Sequence, residues 1–197
     1  MKHESVSPII KHLNVPNLIT TMGFVCGIFA AFFLTQRDLR MAIVCLFFAG
    51  VCDLFDGFAA TKLNQQSEIG KHLDTLVDFF TCVIMPIWMV FDMLDNNPAV
   101  IAGLIFYCIC GLWRLANYNL VGASKVFTGL PVPGAMSIVV VVMWCVVMYS
   151  VPVWVAAVMF FAVGLLMVSG IKLPKYGIWQ KLFVVLGLAF LALVIFS

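Results

Sequence analysis

The sequence predicts an all-α fold, a polytopic transmembrane helical bundle with its N-terminus in the cytoplasm. Three observations predict it. The chain is 64% hydrophobic and only 10% charged, its mean hydropathy is +1.13, and its apolar residues gather in runs long enough to cross a bilayer. A soluble domain carries about 25% charged residues, so a water-soluble globule is excluded.

A bilayer core needs about 20 apolar residues per helix. On that window the chain reads as helices at 17–35, 40–61, 71–91, 98–118, 133–149, 152–170 and 179–196. Pro16 opens the first, and Pro98, Pro133 and Pro152 stand near later starts, where a missing N–H is tolerated. The polar hinge TQRDLR (35–40) parts the first helix from the second, and DNNP (95–98) parts the third from the fourth. Only YSVP (149–152) separates the fifth from the sixth. The seventh has no charge after Lys181 and reads as packing alone. Ahead of them, MKHESVSPIIKHLNVPN is too long and polar for a signal-peptide n-region, and no small-residue cleavage site follows; the first apolar helix is expected to stay. With no repeat or linker in view, the expected organisation is an arm at 1–15, one membrane domain at 16–175 and a C-terminal helix at 176–197.

Charge orients the bundle. A cytoplasmic N-terminus puts Lys2, Lys11, Lys62, Lys71, Arg114, Lys125, Lys172, Lys175 and Lys181 inside and leaves Arg37 and Arg40 outside, as the positive-inside rule requires. The formal charge of +2, without a basic run among aromatics, gives no footprint for nucleic acid. The seven cysteines are scattered through apolar segments, with only Cys108 and Cys110 closely spaced, and read as reduced packing residues. His3, His12 and His72 have no partners at metal spacing; His72 alone lies close to the acids described next.

Of nine acidic residues, four lie in the apolar runs: Asp53, Asp56, Asp74 and Asp78. A carboxylate at the centre of a membrane helix costs about 2.5–3.5 kcal/mol, so four left bare cost on the order of 10 kcal/mol. Asp53 and Asp56 are three apart, and Asp74 and Asp78 four apart, spacings that put each pair on one helical face. The short connection at 62–70 makes their helices antiparallel neighbours. All four then sit about 10–12 Å below the cytoplasmic interface, at one depth. Carboxylates this close repel unless positive charge lies between them, and neither helix carries Lys or Arg at that depth. Their hard oxygens suit Mg²⁺, Mn²⁺ or Ca²⁺. Gly57, Ala59, Ala60 and Gly70 leave room for a ligand beside them or serve helix packing, as Gly23 and Gly27 do. A pyrophosphate ester suits such a site, since divalent ions neutralise phosphate oxygens during in-line displacement.

Asp53-x-x-Asp56-Gly57-x-x-Ala60, nine residues, then Gly70-x-x-x-Asp74-x-x-x-Asp78 resembles the signature of the CDP-alcohol phosphotransferases. Where that signature has Arg after the alanine, this chain has Thr61, followed by Lys62. The resemblance implies a six-helix core plus a seventh, C-terminal helix. It implies two divalent ions, Mg²⁺ or Mn²⁺, held by Asp53, Asp56, Asp74 and Asp78, with Asp78 as catalytic base. It places Gly57, Ala60, Thr61 and Gly70 at the CDP-diacylglycerol site. Pro16-Asn17-x-x-Thr20 resembles the family segment facing the nucleotide, which adds Asn17 and Thr20; Asn17 reads equally as a helix cap.

WRLANYN (113–119), FTGLPVPGAM (127–136) and LLMVSGIKLPK (165–175) are similar to segments of the family's serine-using group, the phosphatidylserine synthases. That resemblance implies transfer of the phosphatidyl group of CDP-diacylglycerol to L-serine with release of CMP, by a homodimer among membrane lipids, in a bacterial cytoplasmic membrane with the site facing the cytoplasm. Arg114, Asn117 and Lys125 are the candidate acceptor contacts. Arg114 can fork onto a carboxylate or phosphate, or snorkel as an interfacial anchor, and Lys125 can bind the acceptor or anchor a loop. Glycerol 3-phosphate or inositol phosphate is the alternative acceptor, although either calls for more converging cations than this chain offers. A cation or proton transporter is the non-enzyme alternative, but it needs acids spread along a path across the membrane. A structural membrane subunit leaves the acids unexplained.

Overall fold

Asn14 opens the first helix, α1 (Val15–Thr35): its side chain accepts the Asn17 N–H at 3.0 Å, and Pro16 occupies the first turn. A 3-10 turn, Ile9–His12, leads into it. The computed structural model describes residues 9–94, 97–121, 126–174 and 178–196. Asp38 caps α2 (Leu39–Lys62) through the Met41 N–H, and Ser67 caps α3 (Glu68–Asp78) through the Gly70 N–H. A π-helical stretch, Phe79–Ile84, joins α3 to α4 (Met85–Met93). There follow α5 (Pro98–Val121), strand β1 (Val126–Thr128), α6 (Val132–Met148), α7 (Trp154–Val168), strand β2 (Lys172–Pro174) and α8 (Ile178–Phe196).

Among the described residues, four stretches are long and apolar enough to cross a membrane: Val15–Thr35, Leu39–Lys62, Glu68–Met93 and Pro98–Tyr118. The chain is an integral membrane protein. α6 and α7 are apolar but shorter, 17 and 15 residues, or about 25 and 22 Å. The helix expected at 152–170 is trimmed at both ends for local reasons. Ser150 takes a positive φ of 51°, Pro152 disfavours helix in the residue before it, and Gly170 follows the last turn. The third expected helix, 71–91, differs more: it is one span made of two α-helices and the wide π turn between them.

α1 buries one face, comprising Pro16, Asn17, Thr20, Gly23, Gly27, Ala30, Ala31 and Leu34, at helical spacing. The small residues let it wedge between α2 and the third span. A Cβ at Gly27 would meet the Phe80 ring at 2.9 Å. On the other side α5 lies along α7, with Tyr107 edge-on to Phe160 at 5.6 Å. The core runs between these halves through Met85, Met89, Tyr107, Met143 and Phe160, all fully buried. α8 packs on α2, and its Phe190 meets Trp144 of α6 edge-on.

The strands are the departure from an all-helical chain. β1 and β2 pair antiparallel, Val126 with Pro174 and Thr128 with Lys172, tying the entry of α6 to the exit of α7. Gly129 closes this clasp. Its N–H donates to the Ile171 carbonyl at 2.7 Å, its φ is +80°, and a Cβ there would lie 2.3 Å from the Met167 carbonyl oxygen. Backbone cannot yield as a side-chain tip can. Gly129→Ala is expected to destabilise the protein by about 2–4 kcal/mol, read as a lower melting temperature in detergent. A melting temperature equal to that of the unsubstituted protein would show that the clasp does not hold.

Candidate active site

The α2–α3 connection places the C-terminal half of α2 beside α3. Asp53, Asp56 and Asp74 converge there, each offering a carboxylate oxygen within 4.8 Å of the others. Asp56 is buried, at 7% exposure. Its Oδ2 accepts the Thr20 hydroxyl of α1 at 2.5 Å. Asp78, one turn beyond Asp74, lies outside this tight group of three but within electrostatic reach of all of them.

The donor set is chemically uniform. Three hard anionic oxygens so close together share either a proton or a cation, and a divalent ion of the Mg²⁺ or Mn²⁺ kind fits them. Asp53, Asp56 and Asp74 gather in one cluster rather than along a path through the bundle.

The neighbouring candidates fall into three sets. Gly57 has open space where a side chain would be, on the exposed side of α2. Ala60 is half-buried and Thr61 exposed. The Thr61 hydroxyl donates to the Gly57 carbonyl at 2.9 Å and accepts from Gln66 Nε2 at 3.3 Å, so it is engaged with its own helix end. Lys62 stands over the Phe58 ring at 5.6 Å. Gly70 is different: a Cβ there would fall 2.6 Å from Asn17 Oδ1, so it serves the close approach of α3 to α1.

Asn17 is not the helix cap. Asn14 holds that position, and the buried Asn17 donates its side-chain amide to the His12 carbonyl at 2.8 Å while Oδ1 faces Gly70. Thr20, one turn on, reaches the acids directly. Ser67, whose side chain fixes the start of α3, carries a sequence signal, a serine directly before a Glu-led helical run.

Arg114 lies in the last two turns of α5, at the end of the bundle where α2 finishes and α3 begins. It is 7% exposed, and its Nε has no hydrogen-bond partner among the described residues. An anchor that snorkels keeps its head in water; a buried guanidinium with a free Nε favours the anion-binding reading over that one. Asn117 is exposed and Tyr118 half-buried. Lys125 lies outside the described residues.

The family model for CDP-alcohol phosphatidyltransferase matches residues 13–190. The chain is 32% identical over 165 residues to a CDP-diacylglycerol–serine O-phosphatidyltransferase of Bacillus subtilis (strain 168), covering 82% of this chain and 90% of that protein. It is 29% identical over 169 residues to a protein of the same name from Methanocaldococcus jannaschii, covering 85% and 77%. An archaetidylserine synthase of Methanothermobacter thermautotrophicus is 27% identical over 171 residues, covering 85% and 72%.

Proposed function

This chain belongs to the CDP-alcohol phosphatidyltransferase family, and we propose that within it the chain transfers the phosphatidyl group of CDP-diacylglycerol to the hydroxyl of L-serine, forming phosphatidylserine and CMP. The observation that carries the proposal is the convergence of Asp53, Asp56 and Asp74 from two neighbouring spans. The relatives named for serine transfer support the acceptor.

Asp53, Asp56 and Asp74, with Asp78, would hold two divalent ions, Mg²⁺ or Mn²⁺. When bound, such ions neutralise the pyrophosphate oxygens and the charge left on CMP. Thr20 holds the Asp56 carboxylate in place by its hydrogen bond. The open face at Gly57 admits the cytidine diphosphate, with Ala60 and Thr61 along the same helix and Asn17 and Gly70 at the start of the neighbouring ones. Asp78 accepts the proton of the serine hydroxyl as that oxygen bonds to the lipid-side phosphorus. The bond from that phosphorus to the bridging oxygen breaks, and CMP departs with the electron pair. Arg114 takes the serine carboxylate, and Asn117 and Lys125 complete the acceptor side. Residues 16–175 carry this chemistry, with the C-terminal helix packed on α2.

The reading includes place and assembly. The lysine and arginine distribution supports a site on the cytoplasmic side, where soluble serine would meet a lipid that stays in the bilayer. The Bacillus relative supports a bacterial cytoplasmic membrane. A homodimer completes the proposal on the family resemblance.

Purified protein given CDP-diacylglycerol and Mn²⁺ or Mg²⁺ is expected to release CMP with L-serine, and to do so far more slowly with glycerol 3-phosphate, inositol phosphate or no acceptor. Mass spectrometry of the lipid product identifies what was joined. Preference for a phosphorylated acceptor would overturn the serine assignment. Silence with all three would overturn the enzyme itself.

A further inference from the structure

The third span carries a break that the proposed chemistry does not use. α3 ends at Asp78, the next six residues form the π turn, and the Met85 N–H reaches back five residues to the Phe80 carbonyl. Pro86 accounts for the wide turn. Its ring would clash with the carbonyl four residues back, that of Cys82, and its nitrogen offers that carbonyl no hydrogen. The missing donor comes from another helix: Tyr107 of α5, fully buried, donates its hydroxyl to the Cys82 carbonyl at 2.7 Å. Phe160 of α7 holds the Tyr107 ring edge-on.

The extra residue in the turn sets an angle. Counted at about 100° per residue, an unbroken α-helix would centre the buried residues Met85, Pro86, Met89 and Val90 about 70° round from Asp74 and Asp78. One added residue rotates the second half back by about 100°, leaving the acidic face and the buried face within about 30° of each other. The half that packs in the core therefore aims the half that carries the carboxylates.

We propose that Tyr107 is a positioning residue: by holding the Cys82 carbonyl it keeps the wide turn in one register and thereby sets Asp74 and Asp78 against Asp53 and Asp56. The inference rests on the carboxylate site proposed above. Tyr107 touches neither substrate nor the carboxylates and acts through the span between them.

Tyr107→Phe removes the hydroxyl alone, and Pro86→Ala gives the Cys82 carbonyl a donor within its own helix, so that an ordinary α turn competes. Free Mn²⁺, counted by electron paramagnetic resonance over purified protein in detergent, reports the site without turnover. Each variant is expected to weaken Mn²⁺ binding and to lower kcat, both by about tenfold or more, as losses of outer supports do. Phe160→Leu is the control: it loosens the same packing but leaves the hydroxyl in place, and is expected to lower the melting temperature with Mn²⁺ affinity unchanged. Native Mn²⁺ affinity in both Tyr107→Phe and Pro86→Ala would overturn the proposal. Equal weakening in Phe160→Leu would also overturn it, because packing alone would then explain the effect. The underlying site fails separately, and this proposal with it, if the unsubstituted protein binds no Mn²⁺ or if Asp53→Asn binds it as well as the native chain.

Discussion

Asp78→Asn is expected to stop turnover, lowering CMP release by about 10²–10⁴-fold, the usual worth of a positioned general base, while Mn²⁺ still binds. The geometry separates the two effects. Asp53, Asp56 and Asp74 form the tight oxygen group, and Asp78 stands one helical turn beyond it. Asparagine keeps the shape and hydrogen-bonding reach of the side chain but cannot accept the serine proton. Asp74→Asn supplies the contrast, because it takes an oxygen out of the group of three; Mn²⁺ binding and CMP release should fall together. Steady-state CMP release and direct Mn²⁺ titration on both variants make the comparison. Turnover by Asp78→Asn within tenfold of native would remove Asp78 from the base role. Loss of Mn²⁺ binding in that variant would show that Asp78 is needed to hold the ions and that its effect on turnover comes through them.

Much of this site is legible in the sequence because helical spacing is a rigid ruler. Three- and four-residue intervals put Asp53 with Asp56 and Asp74 with Asp78, and a short connection makes their helices neighbours; the convergence of three of the four follows from those facts. Contacts between distant helices are not legible in this way. Nothing local in α1 says that Thr20 reaches Asp56, or that the Asn17 amide oxygen is what Gly70 makes room for. Asn17 reads as a cap in the sequence, and only the chain's path gives that place to Asn14. The third apolar run reads as one helix because hydropathy does not register a change from four-residue to five-residue hydrogen bonding. Pro86 in its middle is the local signal of a break, but where the wide turn falls depends on Tyr107, a residue from the next span. The β1–β2 clasp is equally silent, since three-residue strands flanked by Gly129 and Gly170 look like loop until they pair.

Arg114→Lys is expected to raise KM for serine by about 10- to 100-fold, matching the worth of about 1.5–3 kcal/mol for a hydrogen bond to a charged group, with KM for CDP-diacylglycerol little changed. The charge survives this substitution, so the effect isolates geometry. A guanidinium presents a planar fork that grips a carboxylate with two parallel hydrogen bonds, whereas an ammonium is a point charge. Burial makes the distinction matter. Arg114 is 7% exposed and its Nε has no hydrogen-bond partner among the described residues, and an unpaired buried donor is costly. In the proposed reaction, a carboxylate arriving with the acceptor would supply what that donor lacks, and this is the basis of the expectation. Kinetics with serine varied at saturating CDP-diacylglycerol, then the reverse, decide which anion it is. A rise confined to KM for CDP-diacylglycerol would move Arg114 to the lipid phosphate. No change in either, with a lowered melting temperature, would leave it a packing residue and return the serine carboxylate to Asn117 and Lys125.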